Sequence, residues 1–178
     1  MSDVKIHDKT FEPFIDKQKI ADGIRRVAAQ INRDFQGKKP LLLGILNGSF
    51  IFAADLFREL EIEAEISFIK LVSYKGTSST GKVVTAIGLE EQLAGRHVII
   101  VEDIIDTGKT LHSFLPEIWN RTPASVKIAT FLTKPSALKF PVKADYNAFE
   151  IEDKFVVGYG LDYDGLGRNL PELYILKS

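Results

Sequence analysis

The chain has 178 residues, 23 Lys and Arg against 24 Asp and Glu, no cysteine, and 45% hydrophobic residues. A chain of that length fits one domain, burying about 70% of the surface its unfolded form exposes, and needs no covalent staple. Disulfides and thiolate metal sites are excluded, the balanced charge argues against a general nucleic-acid binder, and a reducing cytoplasm is the expected compartment.

The opening segment, Met1 to Asp8, mixes charges without an apolar centre and does not read as a signal peptide. No apolar run approaches the roughly 20 residues a bilayer span requires. Asp16 to Phe35 is predicted as the first helix, with Ile20, Ile24, Val27, Ala28, Ile31 and Phe35 on one stripe and Gly37 as its stop. Leu41 to Leu46 is a continuous apolar run, hence a buried strand, followed by a tight turn at Asn47-Gly48-Ser49. Ser49 is expected to cap a helix from Phe50 to about Leu60.

Glu63 to Leu71 reads as the next strand. Residues 72 to 85 break the pattern with Tyr74, Gly76, Gly81 and a run of Thr and Ser, and read as a flexible hairpin. A short polar connection from Ile87 to Arg96 leads to Val98–Val101, an unbroken β-branched run of the kind covered on both faces in a parallel sheet. Thr110 to Arg121 is predicted helical, with Leu111, Leu115, Ile118 and Trp119 facing inward. Ser125 to Leu132 is another strand, ended by Thr133-Lys134-Pro135. Past Pro141, Tyr146 to Ile151 and Phe155 to Gly160 are short and β-like, and are expected to form a small lobe beside the main sheet. A glycine-rich polar loop, Asp162 to Arg168, and a last strand, Leu173 to Leu176, complete the chain.

The chemistry concentrates after the central strand. Glu102 and Asp103 follow the apolar run directly, and Asp106-Thr107-Gly108-Lys109-Thr110 then offers hydroxyls, a flexible glycine and free N–H groups at a helix start. Such a turn suits a phosphate. Acid beside a phosphate nest is consistent once a sugar or hydrated Mg²⁺ lies between them. It is not a P-loop, because Asp103 stands where the first glycine would be; nor do Gly158 and Gly160 make a dinucleotide fingerprint, because Tyr163 replaces its third glycine. A calcium loop at Asp162 and Asp164 fails at Leu166. The turn after Leu46 repeats the same geometry, so both turns should lie at one edge of the sheet.

Four apolar residues, Glu-Asp, two apolar residues and Asp-Thr-Gly-Lys-Thr-Leu resemble the phosphoribosyl pyrophosphate (PRPP) motif of type I phosphoribosyltransferases. The regions around Lys134 and from Phe155 to Arg168 are similar to the hypoxanthine(-guanine) branch. The resemblance covers nearly the whole chain. It implies an α/β fold of one domain over residues 1–178, with a central, mainly parallel sheet flanked by helices. A small hood lobe, mainly residues 141–178 with N-terminal residues, and a flexible lid hairpin at 72–85 complete it. The implied reaction is displacement of pyrophosphate from C1 of PRPP by a purine ring nitrogen, with Mg²⁺, in purine salvage.

Carried onto this sequence, the family pattern assigns Asp106 the proton exchange with the purine. Glu102 and Asp103 take the ribose hydroxyls and their metal water shell, and Thr107, Gly108, Lys109 and Thr110 the 5′-phosphate. Asn47 and Gly48 wrap the pyrophosphate, often through a non-proline cis peptide; many relatives have Lys where this chain has Asn47, so the backbone is the expected binding group there. Arg168 holds pyrophosphate, Lys134 donates to a 6-oxo group, Phe155 stacks on the base, the Val156 backbone reads its far edge, and Asp162 serves both as a base-side residue and as a second metal carboxylate. Ser73 and Tyr74 belong to the lid. A homodimer or homotetramer is implied, with no nucleic acid and no membrane as partner. Two competing readings are a PRPP-sensing regulator that binds nucleic acid and a xanthine-preferring transferase.

Overall fold

The protein, a computed structural model describing residues 2–74 and 83–177, runs through β1 (Val4–Ile6), β2 (Lys9–Ile15), α1 (Lys17–Asp34), β3 (Leu41–Leu46), α2 (Phe50–Arg58), β4 (Glu65–Tyr74) and β5 (Val83–Ile87). It continues through β6 (His97–Ile105), α3 (Lys109–Trp119), β7 (Ser125–Thr133), a short 3₁₀ turn (Pro135–Ala137), β8 (Tyr146–Glu150), β9 (Val156–Val157) and β10 (Leu173–Leu176). Six strands form one sheet in the order β5-β4-β3-β6-β7-β8, parallel throughout except for β5 at its edge. Four form a second, antiparallel sheet in the order β1-β2-β10-β9.

Strand alternation divides the main sheet's side chains between two cores. Leu42, Ile99, Val101 and Phe131 face α1 and α2, where they meet Ile20, Ile24, Val27, Ile31, Phe52 and Leu56. Leu41, Leu43, Val98 and Ile100 face α3 and meet Leu111, Phe114 and Ile118. Each such side chain contributes about 1.5–3 kcal/mol by leaving water. Asp16 caps α1 as its side chain accepts from the Lys19 N–H at 2.8 Å.

This arrangement fixes where a ligand can bind. β3 and β6 are neighbours at the centre of the sheet, yet β3 leads by α2 to β4 on one side, while β6 leads by α3 to β7 on the other. The chain therefore diverges between them, leaving a crevice beyond their C-terminal ends.

Several expectations need correction. Tyr146–Glu150 is not in the small lobe; it is the sixth strand of the main sheet, paired in parallel with β7. The small lobe joins the N-terminal strands to β9 and β10 instead. Trp119 does not face inward: it is 51% exposed, and Phe114, fully buried, takes that core position. Ser49 lies before α2 as expected but does not cap it, since its hydroxyl donates to the Ile45 carbonyl at 2.6 Å. The connection before His97 is not simply polar, because Leu89 and Leu93 are buried anchors. The strands flanking the expected lid reach further than the sequence indicated, pairing Ser73 with Val84 and Tyr74 with Val83, and residues 75–82 of that lid lie outside the described residues.

Candidate active site

Beyond β3 and β6 lies a cleft of about 340 Å³. It gathers Asn47, Gly48, Glu102, Asp103, Asp106, Thr107, Gly108, Lys109, Thr110, Asp162 and Arg168. One wall is the turn after β3, where the Leu46–Asn47 peptide is cis. Gly48 lies directly against the Asp103 carboxylate, and a Cβ at position 48 would collide with it. Only glycine lets this turn approach so closely.

The floor is the end of β6. Glu102 is buried and accepts from the Asp103 N–H at 3.1 Å, while Asp103 accepts from the Ile104 N–H at 2.7 Å. Burial, then the charge of Asp103, pushes the Glu102 carboxyl well above the usual range. Burial also raises Asp103, partly offset by hydrogen bonds and by the Arg168 charge. Two carboxyls desolvated in this way are short of positive charge.

The opposite wall is the turn from Asp106 to Thr110 at the start of α3. Gly108 sits in the left-handed region (φ 78°) and starts α3, whose first N–H groups have no carbonyl behind them. The Thr107 carbonyl accepts from Lys139 and Phe140 N–H groups at 3.0 and 3.1 Å, which fixes the loop from behind. Thr107 Oγ1 accepts from the Lys109 N–H at 3.3 Å. Free N–H groups at a helix start together with hydroxyls bind an anion.

Asp106 does not cap α3. Its carboxylate faces the Lys134 ammonium at 3.3 Å, and Lys134 also reaches Asp153 at 3.3 Å. Lys134 is buried, at 7% exposure, and borders a separate cavity of about 180 Å³ with Ile105, Pro135 and Glu150. Phe155 and Val156 do not line the cleft. Phe155 is 44% exposed, its ring 5.8 Å from that of Tyr163, which follows Asp162; Val156 is buried in β9. Arg168 reaches Asp162 at 2.7 Å and donates to the Gly160 carbonyl at 2.7 Å, and Asp162 also accepts from the Gly165 N–H at 2.8 Å. Sequence reasoning missed Asp153, whose only signal is nearness to Phe155, and Gly160, packed against the Gly48 carbonyl. A larger cavity, about 490 Å³, opens between α1 and α2; it is lined by Asp55, Arg58, Glu59 and Tyr159 among others, and by none of Glu102, Asp103 or the Asp106–Thr110 loop.

Among the described residues no group of three metal-ligating side chains occurs, and no helix is long and apolar enough to cross a membrane. Hard oxygens from one or two carboxylates suit a divalent cation that keeps water and takes its other ligands from a substrate.

Comparison with known proteins agrees with this geometry. The phosphoribosyl transferase domain family matches residues 14–164. A hypoxanthine-guanine phosphoribosyltransferase from Streptococcus pneumoniae is 42% identical over 92% of this chain and 92% of its own. A hypoxanthine-guanine-xanthine phosphoribosyltransferase from Tritrichomonas foetus is 35% identical, over 100% of this chain and 98% of its own. The crystal structure of a hypoxanthine phosphoribosyltransferase from Staphylococcus aureus superposes with a TM-score of 0.87 at 39% identity, covering 93% of this chain and 91% of that one. An acidic strand end facing a phosphate nest at the sheet's point of divergence, in a chain with these relatives, leads to one conclusion: the chain belongs to the phosphoribosyltransferase family, among the hypoxanthine-guanine phosphoribosyltransferases.

Proposed function

We infer that this chain transfers the 5-phosphoribosyl group of PRPP to N9 of hypoxanthine, and of guanine, releasing IMP or GMP and pyrophosphate. The observation that carries the reading is the pairing of a desolvated Glu102–Asp103 floor with the Thr107–Thr110 nest in one cleft. The 5′-phosphate sits on the nest, through its N–H groups and the Thr107 and Thr110 hydroxyls. That anchor places the ribose over Glu102 and Asp103, which accept from its hydroxyls. As the C1–pyrophosphate bond lengthens, C1 acquires oxocarbenium character, and an anionic floor favours it.

On the far side, Asn47, Gly48 and Arg168 hold the pyrophosphate, the first two by backbone and Arg168 by its fork of donors. Asp106 exchanges a proton with purine N7. Lys134, its partner at 3.3 Å, turns to the 6-oxo group. Phe155 offers a ring face to the base, and Val156 its backbone. Glu102, Asp103 and Asp162 are the residues that would hold Mg²⁺, which supplies neutralisation of the departing pyrophosphate when bound. Ser73 and Tyr74 belong to a lid that excludes water from the cationic sugar. The absence of cysteine and the family's habit support a cytoplasmic homodimer or homotetramer. Among the described residues nothing favours a regulator that binds nucleic acid.

Initial rates with PRPP and Mg²⁺ against hypoxanthine, guanine, xanthine and adenine, each repeated with EDTA, test this. IMP formed from hypoxanthine and lost with EDTA is the expected result. PRPP binding without turnover of any base would overturn it.

A further inference from the structure

Tyr159 combines a buried core side chain with an uncommon backbone conformation. Its backbone is left-handed (φ 48°), a conformation in which bulky residues are outliers unless the surroundings force it. The glycines on either side leave no room for a side chain. A Cβ at Gly158 would collide with the Glu172 carbonyl, and one at Gly160 with the Gly48 carbonyl. With its flanking glycines packed against those two carbonyls, Tyr159 buries its ring against Phe131 (centroids 4.8 Å apart). Its hydroxyl donates to the Asp55 carboxylate at 2.6 Å. Burial and this bond both raise the phenol pKa, so it remains a donor across the working pH range.

Each end of this hydrogen bond is tied to one wall of the cleft. Asp55 lies on α2, which starts directly after the Asn47–Ser49 turn and is bound to it by the Ala53 N–H donating to the Ser49 carbonyl at 2.7 Å. Tyr159 adjoins Gly160, which is bonded reciprocally to Arg168: its N–H donates to the Arg168 carbonyl at 3.0 Å, and its carbonyl accepts from the guanidinium at 2.7 Å.

We propose that the Tyr159–Asp55 hydrogen bond is a latch that sets the distance between the Asn47–Ser49 turn and Arg168, and so the grip on the pyrophosphate end of PRPP. The latch rests on the function proposed above. Tyr159 and Asp55 are positioning residues, acting through Gly48 and Arg168 without touching substrate. The contact cannot be read from local sequence, since 104 residues separate its partners.

The test is Tyr159→Phe, which keeps the ring and removes only the donor. Calorimetric titration with Mg²⁺ and PRPP should show binding weakened roughly tenfold, the scale of one hydrogen bond to a charged group. The KM for PRPP should rise in step, while the KM for hypoxanthine stays within about twofold. Asp55→Asn keeps an acceptor and should remain near wild type, whereas Asp55→Ala should match Tyr159→Phe. The double variant Tyr159→Phe/Asp55→Ala should be no weaker than the worse single one. Should Tyr159→Phe fail to fold, Asp55→Ala carries the same test, because the Asp55 side chain is 40% exposed. Unchanged PRPP affinity, or parallel rises in both KM values, would overturn the latch. Wild-type protein that binds no PRPP would instead remove the underlying function, and the latch with it.

Discussion

The phosphate loop and the surface proposed for the base are built by different means. The floor and nest come from one contiguous stretch, Glu102 to Thr110, whose shape follows from a strand ending at Ile105 and a helix beginning at Lys109. The proposed base side is assembled from the end of β7, the strand β9 and the loop that follows it, brought together by packing of the second sheet against the first. Local backbone chemistry can be specified by local sequence; a surface composed of distant segments depends on the whole fold. Substitutions should therefore divide into those that act on a self-sufficient loop and those that act on an assembled surface.

Asp106 belongs to the loop but touches Lys134, so it tests the division most severely. Asp106→Asn should lower kcat by about 10²–10⁴-fold while leaving PRPP affinity near wild type. Loss of PRPP binding to the same degree would show that Asp106 serves the sugar-phosphate side only. Lys134→Ala should lower the ratio of kcat/KM for hypoxanthine over adenine roughly hundredfold, because a buried donor to the 6-oxo group is lost. An unchanged ranking of bases would separate Lys134 from base selection. Gly48→Ala drives a methyl into the Asp103 carboxylate and should raise the KM for PRPP some tens of times, on the scale of ordinary overpacking. Its KM for hypoxanthine should barely move, and a matching rise would mean that the two regions are less separate than the fold indicates.

The smallest effect concerns stability. Because burial raises Glu102 in the folded protein, the native state keeps a proton that the unfolded chain releases above its ordinary value of 4.5. Stability is therefore fullest below that value and declines as pH rises towards the raised one. Glu102→Gln should raise the melting temperature of the ligand-free protein by a few degrees at pH 7, with the gain vanishing near pH 4. A gain of equal size across that range would mean that Glu102 ionisation is not its cause.

The same division accounts for what could be read from the sequence. Val98–Val101 and the residues that follow announce strand, acid pair and turn because each signal lies within a few positions of the next. The sequence does not reveal which sheet β8 joins, because a five-residue alternating segment, Tyr-Asn-Ala-Phe-Glu, carries no mark of its neighbour, and its partner β7 is found only through parallel pairing. Hydrophobicity alone points Trp119 inward, but the helical spacing of Leu111, Phe114 and Ile118 leaves it one position beyond the buried stripe. Asp153 and Asp55 were invisible as partners of Lys134 and Tyr159 because nothing in a charged residue names the distant group it will meet.

Pairing Ile15 in β2 with Leu173 in β10 also has a consequence for the protein's synthesis. At about 5–20 residues per second, the ribosome finishes the phosphate loop several seconds before it delivers the strand that closes the second sheet. The emerging chain thus carries the phosphate loop before Asp162 and Arg168, which complete the same cleft. The second sheet closes only when β10 pairs with β2 and β9, so the loop bearing Asp162 and Arg168 gains its full support late.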